Sequence, residues 1–261
     1  MEIINPVVLG SLIAIGIFAG VLVALRAGRL LGERAISAHG SIGSTIGSLE
    51  AAVFALLGLL IAFTFSGALT RFDGRRAQVV QEANAIGTAW LRVDLLPAAA
   101  QPKLRESFRA YVDSRIATYR KLPDLKAAEH ELANSEQLQN EIWTQAVAAL
   151  RQPQARPQAE LLLIPALNDM FDITTTRIAA TQMHPPAIIY AMLIALSLVA
   201  GLLAGYQSAG EKGYAWIHKI AFATIVALTV YVILDIEYPR LGLVRIDAID
   251  HLLVDVRAGM K

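Results

Sequence analysis

The chain of 261 residues is strongly apolar, with 55% hydrophobic residues, only 17% charged residues and a mean hydropathy of +0.49. This composition excludes an ordinary soluble domain and indicates a membrane protein. The formal net charge of +1 gives no global electrostatic basis for binding nucleic acid, and the absence of cysteine excludes disulfides, thiol catalysis and cysteine-ligated metals.

Residues 7–25 form the first predicted membrane span, because they are apolar over the length that a bilayer requires. Gly16, Gly20 and Ala24 repeat at a spacing that lets a neighbouring helix approach closely, although membrane helices are rich in small residues in general. Residues 26–48 are expected to be a connector. Its glycine-rich segment HGSIGSTIGS lacks the lysine and hydroxyl ending of a phosphate-binding loop.

The second predicted span, residues 51–69, carries no charge. At about 1.5 Å per residue it is roughly 28 Å long, close to a hydrocarbon core of about 30 Å. Helical spacing continues beyond it until Pro97, so we expect this helix to leave the bilayer unbroken. At 100° per residue, one face carries a stripe of candidate pore-lining residues: Leu56, Leu59, Phe63, Ser66 and Thr70. Such a stripe either lines a narrow apolar constriction or packs against other spans.

Residues 71–186 are predicted to form a helical domain outside the membrane. After the continuation of the second span come helices at about 102–122, 124–152 and 158–182. Residues 161–166 are apolar but too short for a span, so we expect them to pack against the second-span helix. No strand pattern competes with these helices, and the predicted fold class is all-α.

Two further apolar spans are predicted, at 187–206 and at 214–234. The chain therefore divides into a transmembrane hairpin at 1–70, a helical domain at 71–186, a second transmembrane hairpin at 187–235 and a C-terminal segment at 236–261.

Four spans place both termini and the helical domain on the same side of the membrane. Basic residues near the span ends favour that side as cytoplasmic by six to four. The six are Arg71, Arg75, Arg76, Arg177, Arg240 and Arg245, and the four are Arg26, Arg29, Arg34 and Lys212. We therefore expect a multi-pass protein of the bacterial inner membrane whose termini and helical domain are cytoplasmic.

The sequence contains few features that indicate catalysis or ligand binding. Its five histidines are scattered, without the spacing of metal ligands, and no catalytic or nucleotide-binding motif is present. We expect no enzymatic activity, no catalytic residue, no metal and no cofactor. One charge cluster is predicted where the second and fourth spans leave the bilayer: Arg71, Asp73, Arg75, Arg76, Asp235, Glu237 and Arg240. Ion pairing between the two spans is the favoured role of this cluster, and a cation site is the alternative.

Four segments carry a family resemblance: FSGALTRFDGRR at 65–76, EANAIGTAWLRVDLLP at 82–97, HPP at 184–186 and DIEYPRLG at 235–242. Together they resemble a bacterial membrane protein family described as bestrophin-like. By analogy with bestrophins, the resemblance implies a pentameric anion channel with four spans and helices that extend into a cytoplasmic body. The acidic run with which bestrophins bind calcium is missing, so calcium activation is not implied.

The leading interpretation is a homo-oligomeric membrane ion channel, anion-conducting, in which the second span lines the pore. Phe63 and Leu59 would form an apolar neck, and the arginines after Thr70 would form a positive vestibule. Its partners would be the lipid bilayer, further copies of the chain and small ions. The alternative is a membrane-anchored scaffold or signalling module whose helical domain recruits a partner.

Overall fold

The computed structural model describes residues 6–39, 45–209 and 216–261, and these form α-helices and short connections without a strand. The helices are α1 (Pro6–His39), α2 (Thr45–Arg92), α3 (Gln101–Arg120), α4 (Leu125–Leu150), α5 (Pro157–Gln182), α6 (Ala187–Gln207), α7 (Trp216–Glu237) and α8 (His251–Gly259). Four helical stretches, which include α1, α2, α6 and α7, are long and apolar enough to cross a membrane. The prediction of an all-α, four-span membrane protein is confirmed.

The helix α1 is longer than the span predicted within it. Residues 26–39 were expected to belong to a connector, and this expectation is wrong because the helix continues to His39. The basic residues here are separated by leucine, alanine and glutamate, which favour helix, and Arg29 pairs with Glu33 one turn later at 2.8 Å. Residues 40–44 of the predicted connector, and residues 214–215 of the predicted fourth span, lie outside the described residues.

Two compact units make up the chain. The membrane unit comprises Met1–Phe72 and His184–Val244, and the helical unit comprises Asp73–Met183 and Arg245–Lys261. Near the C-terminus this division differs from the predicted segment 236–261, because its first nine residues group with the membrane unit. The predicted domain boundaries stay a prediction.

In the membrane unit, α1 and α6 approach so closely that their backbones touch. A Cβ atom added at Gly28 would overlap the Leu202 carbonyl oxygen, and one added at Gly205 would overlap the Leu25 carbonyl oxygen. Small residues at helix crossings maximise such contact in membranes. The sequence predicted this packing around Gly20, but the tightest crossing lies further along α1, in the part that was expected to be a connector.

The helical unit has an apolar core to which α2, α3, α4, α5 and α8 all contribute. Its fully buried members include Ile86, Phe108, Ile142, Leu163, Leu167 and Leu253. Leu163 and Leu167 of α5 are fully buried in this core together with residues of the continued α2, whereas Leu161 and Leu162 are exposed.

A buried ion cluster joins three helices of the helical unit. Glu82 of α2 is fully buried and accepts hydrogen bonds from Arg115 of α3, at 2.6 Å, and from Arg177 of α5. The hydroxyl of Tyr119 accepts a further hydrogen bond from Arg115 at 2.6 Å. Burial raises the pKa of the Glu82 carboxyl, but the charges and hydrogen bonds of the two arginines outweigh burial, so the pKa lies below its ordinary value.

We predict that Glu82→Gln destabilises the helical unit by about 3–5 kcal/mol, because it leaves two buried guanidinium groups without their carboxylate. The measurement is the unfolding midpoint of the protein in detergent, followed through the fluorescence of the buried Trp90. Glu106→Gln, an exposed substitution on α3, is the matched control.

The same carboxylate predicts a pH dependence. Because the pKa of Glu82 is lower in the folded than in the unfolded state, its stabilisation is present above about pH 4.5 and is lost as the pH falls through the folded pKa. Glu82→Gln should flatten this acid dependence. If Glu82→Gln shifts the unfolding midpoint no more than Glu106→Gln does, the stabilising role of the Glu82 cluster is contradicted.

Candidate functional site

The predicted pore-lining stripe of α2 is unpacked within the protomer. Leu56, Leu59 and Phe63 are 55%, 52% and 68% exposed, values that are high for large apolar side chains. The opposite face of the same helix is packed, with Leu57 and Ala68 buried. The stripe therefore does not pack against other spans of its own chain.

The stripe becomes polar toward the end of the span. Ser66 and Thr70 are exposed on the same face, and the Thr70 hydroxyl donates a hydrogen bond to the Ser66 carbonyl oxygen at 2.9 Å. A second exposed face lies beside the stripe and carries Gly58, Ala62, Phe65 and Leu69. About half of the circumference of α2 is thus available to lipid, to water or to other copies.

An ion pair joins the middle of α2, just after the predicted second span, to the last residue of α7. Arg71 donates to Glu237 through Nη2 at 2.5 Å and through Nε at 3.0 Å, and the Glu237 side chain is only 1% exposed. His184 lies 3.4 Å from the second oxygen of Glu237, and its ring stacks on Tyr238 with the centroids 4.7 Å apart. His184 therefore meets Glu237 and Tyr238 in space, although it lies more than 50 positions earlier in the sequence.

The first acid of the segment DIEYPRLG, Asp235, fixes the chain that follows α7. Asp235 accepts hydrogen bonds from the backbone N–H groups of Leu243 and Val244, both at 2.8 Å. A Cβ atom added at Gly242 would lie 2.6 Å from an oxygen of this carboxylate, so the turn needs glycine at that position. These contacts explain why residues 236–244 belong to the membrane unit.

The remaining charged residues of the predicted cluster do not join the Arg71–Glu237 pair and have other partners. Arg75 is buried and donates to the carbonyl oxygens of Ala180 and Met183 at the end of α5, at 3.1 and 3.0 Å. Such an arrangement satisfies helix-terminal carbonyls. Asp73 and Arg76 form an exposed pair at 3.3 Å, and Arg240 is half-buried in the turn after α7.

Sequence reasoning missed two features of these sites. It did not assign His184 and Tyr238 to the Glu237 site, although both lie in the segments that carried the family resemblance. It also missed the Glu82 cluster, for which a lone acid among the apolar residues Val79, Ala83 and Ile86 was the available signal. Among the described residues, no group of three or more histidine, aspartate or glutamate side chains is arranged to hold a metal ion.

We predict that Arg71→Gln destabilises the membrane unit by about 3–5 kcal/mol, because the buried Glu237 carboxylate then loses the guanidinium group that pairs with it. The fraction of intact protein after heating in detergent, followed by size-exclusion chromatography, measures the effect. Arg76→Gln is the control, because its ion pair is exposed and contributes about 0–1 kcal/mol. The exchanged pair Arg71→Glu with Glu237→Arg should recover part of the loss, and equal effects of Arg71→Gln and Arg76→Gln would refute this role.

Comparison with known proteins identifies a family and solved structures that are similar to most of the chain. The bestrophin-like domain family matches residues 15–248, which confirms the resemblance seen in the sequence. Crystal structures of two variants of a bacterial bestrophin homolog from Klebsiella pneumoniae superpose with TM-scores of 0.65 and 0.67, each at 14% identity. The first match covers 99% of this chain and 100% of that homolog, and the second covers 100% and 99%. A search of curated proteins finds no match.

Proposed function

The chain belongs to the bestrophin-like family, and from this premise we propose that it forms a homo-oligomeric, anion-conducting channel of the inner membrane. The observation that carries the proposal is the exposed stripe of α2, which is apolar at Leu56, Leu59 and Phe63 and polar at Ser66 and Thr70. The proposed activity is passive conduction, not catalysis.

Closed symmetry gives the stripe its place in this proposal. In a ring of identical protomers, the same face of each α2 is turned toward the central axis. The adjacent face with Gly58 and Ala62 would contact the neighbouring protomer, because small residues let helices approach closely. Five subunits are proposed by analogy with bestrophins.

Phe63 is the proposed centre of a hydrophobic neck, with Leu59 one turn away. A ring of such side chains gates by dewetting, because water and ions fill a narrow apolar passage at a high free-energy cost. Ser66 and Thr70 would widen the wetted part of the pore on the side where α2 leaves the bilayer. The neck would then control how often the pore conducts, and the flanking charges would influence which ions enter.

The proposed vestibule is less positive than the number of arginines implies. Glu237 balances Arg71, and Asp73 balances Arg76, so both pairs act mainly as local dipoles. Arg71 nevertheless keeps 31% of its side chain exposed, which leaves it able to interact with a passing anion. We therefore propose a modest contribution of Arg71 to anion selectivity.

We predict that Phe63→Ala increases the current per assembled oligomer in planar bilayers, because a smaller side chain widens and wets the neck. Ile15→Ala is the control, since Ile15 is a large apolar residue of α1 that is similarly exposed, at 63%, and lies outside the stripe. Native mass spectrometry establishes that both variants assemble. In the same recordings, Arg71→Glu should make the reversal potential less selective for anions, measured on the oligomers that native mass spectrometry shows to be assembled despite the loss of the ion pair with Glu237.

Two outcomes would overturn the channel proposal. Only monomer across mild detergents would exclude a pore built from several copies of α2. Intact oligomers without current, in both the wild type and Phe63→Ala, would favour a membrane-anchored scaffold whose helical unit recruits a partner.

We also predict the orientation of the chain in the inner membrane. Positive residues flank the span ends more densely on the side of the helical unit, which favours its retention in the cytoplasm. A reporter fused near Gln154 should therefore be active as a cytoplasmic reporter, and one inserted at 40–47 as a periplasmic reporter. The reverse labelling would contradict this topology.

A further inference from the structure

Two adjoining cavities lie at one end of the membrane unit. The first has a volume of about 370 Å³ and is formed by α1 and α7, and the second has a volume of about 470 Å³ and is formed by α1, α2, α6 and α7. Leu25 and Lys219 line both cavities, so these two residues form the boundary between them. A single elongated ligand can therefore occupy both.

The first cavity is basic. Arg26, Arg29 and Lys219 line it, with Glu33 as the only acid among its lining residues. Glu33 pairs with Arg29 at 2.8 Å. Within the described part of the chain, Arg26 and Lys219 have no ion-pair partner, so the cavity keeps an excess of two positive charges. A phosphodiester group has the charge and the acceptor oxygens to bind there.

The second cavity is mainly apolar. Phe54 and Phe222 line it and contact each other edge to face, with their ring centroids 5.3 Å apart. Ala204 leaves space beside these rings, and Leu25 continues the apolar wall toward the basic cavity. Such a surface binds hydrocarbon chains, because burying them there removes apolar area from water.

The position of the basic residues fits a headgroup. Arg26 follows the predicted first span directly, and Lys219 lies in the first turn of α7. Basic side chains at the ends of spans reach the level of lipid phosphates, where they attract anionic headgroups. The cationic and apolar cavities thus adjoin at the depth where a phospholipid changes from headgroup to acyl chain.

We propose that these cavities form a binding site for an anionic phospholipid. The lipid phosphate lies between Arg26 and Lys219, and one acyl chain enters the cavity beside Phe54 and Phe222. A zwitterionic lipid fits less well because its positive group opposes the two cations. A free phosphate leaves the second cavity without a ligand. This site is separate from the α2 stripe, so it does not depend on the proposed conduction.

Native mass spectrometry of the full-length protein, in detergent with equal amounts of phosphatidylglycerol and phosphatidylcholine, tests the site. We expect selective retention of phosphatidylglycerol. Arg26→Gln and Lys219→Gln should each weaken this retention roughly fivefold, the effect expected for one basic residue close to an anionic lipid. Arg34→Gln is the matched control, because Arg34 is an exposed arginine of α1 that lines neither cavity.

A competition experiment distinguishes a lipid from a free anion. Inorganic phosphate and the water-soluble headgroup glycerophosphoglycerol should fail to displace bound phosphatidylglycerol at millimolar concentrations, because neither occupies the apolar cavity. Displacement by either would assign the site to a soluble phosphate compound and overturn the proposal. Equal retention of the two lipids by the wild type would overturn it as well, as would equal behaviour of Arg26→Gln and Arg34→Gln.

Discussion

Hydrocarbon offers no hydrogen-bond partner to a peptide group, and this constraint determines the form of the membrane unit. Each span must satisfy its backbone internally, which a helix does. Hydroxyl side chains in the spans follow the same requirement: Ser11, Thr64, Ser197 and Thr229 each donate to the carbonyl oxygen four residues earlier, at 2.7–2.8 Å. With the polar groups satisfied within each helix, association depends on close packing, which explains why Gly28 and Gly205 lie where α1 meets α6.

Each unit buries a carboxylate that is paired with arginine. Glu82 is shared by two arginines in the helical unit, whereas Glu237 is held by Arg71 in the membrane unit. Removing one partner of a buried pair costs far more than an exposed pair contributes. These carboxylates therefore specify which helices are neighbours, and Arg71 has a structural role beside any role in selectivity.

The all-α fold and the four spans could be predicted from the sequence because apolar length and the absence of a strand pattern are local properties. The extent of α1 and the partners of Glu237 depend on more than the local apolar pattern. The arginines after Leu25 indicated a connector, yet α1 continues because alanine, leucine and the Arg29–Glu33 pair favour helix. The pairing of Arg71 with Glu237 was one of several possibilities that the sequence allowed. His184 could not be assigned to the same carboxylate, since no spacing rule connects residues 53 positions apart.

Exposure alone does not identify a pore helix. The most apolar windows of α1 and α2 are both only 17% buried, against 44% for α7, so each presents a large surface beyond its own protomer. The exposed residues of the first span, such as Leu12, Ile15 and Val23, are apolar throughout, which suits contact with lipid chains. The exposed stripe of α2 instead passes from Leu56 and Phe63 to Ser66 and Thr70. Hydroxyl groups hydrogen-bond to water but not to lipid tails, and this difference in polarity favours α2 over α1 as the wall of the proposed channel.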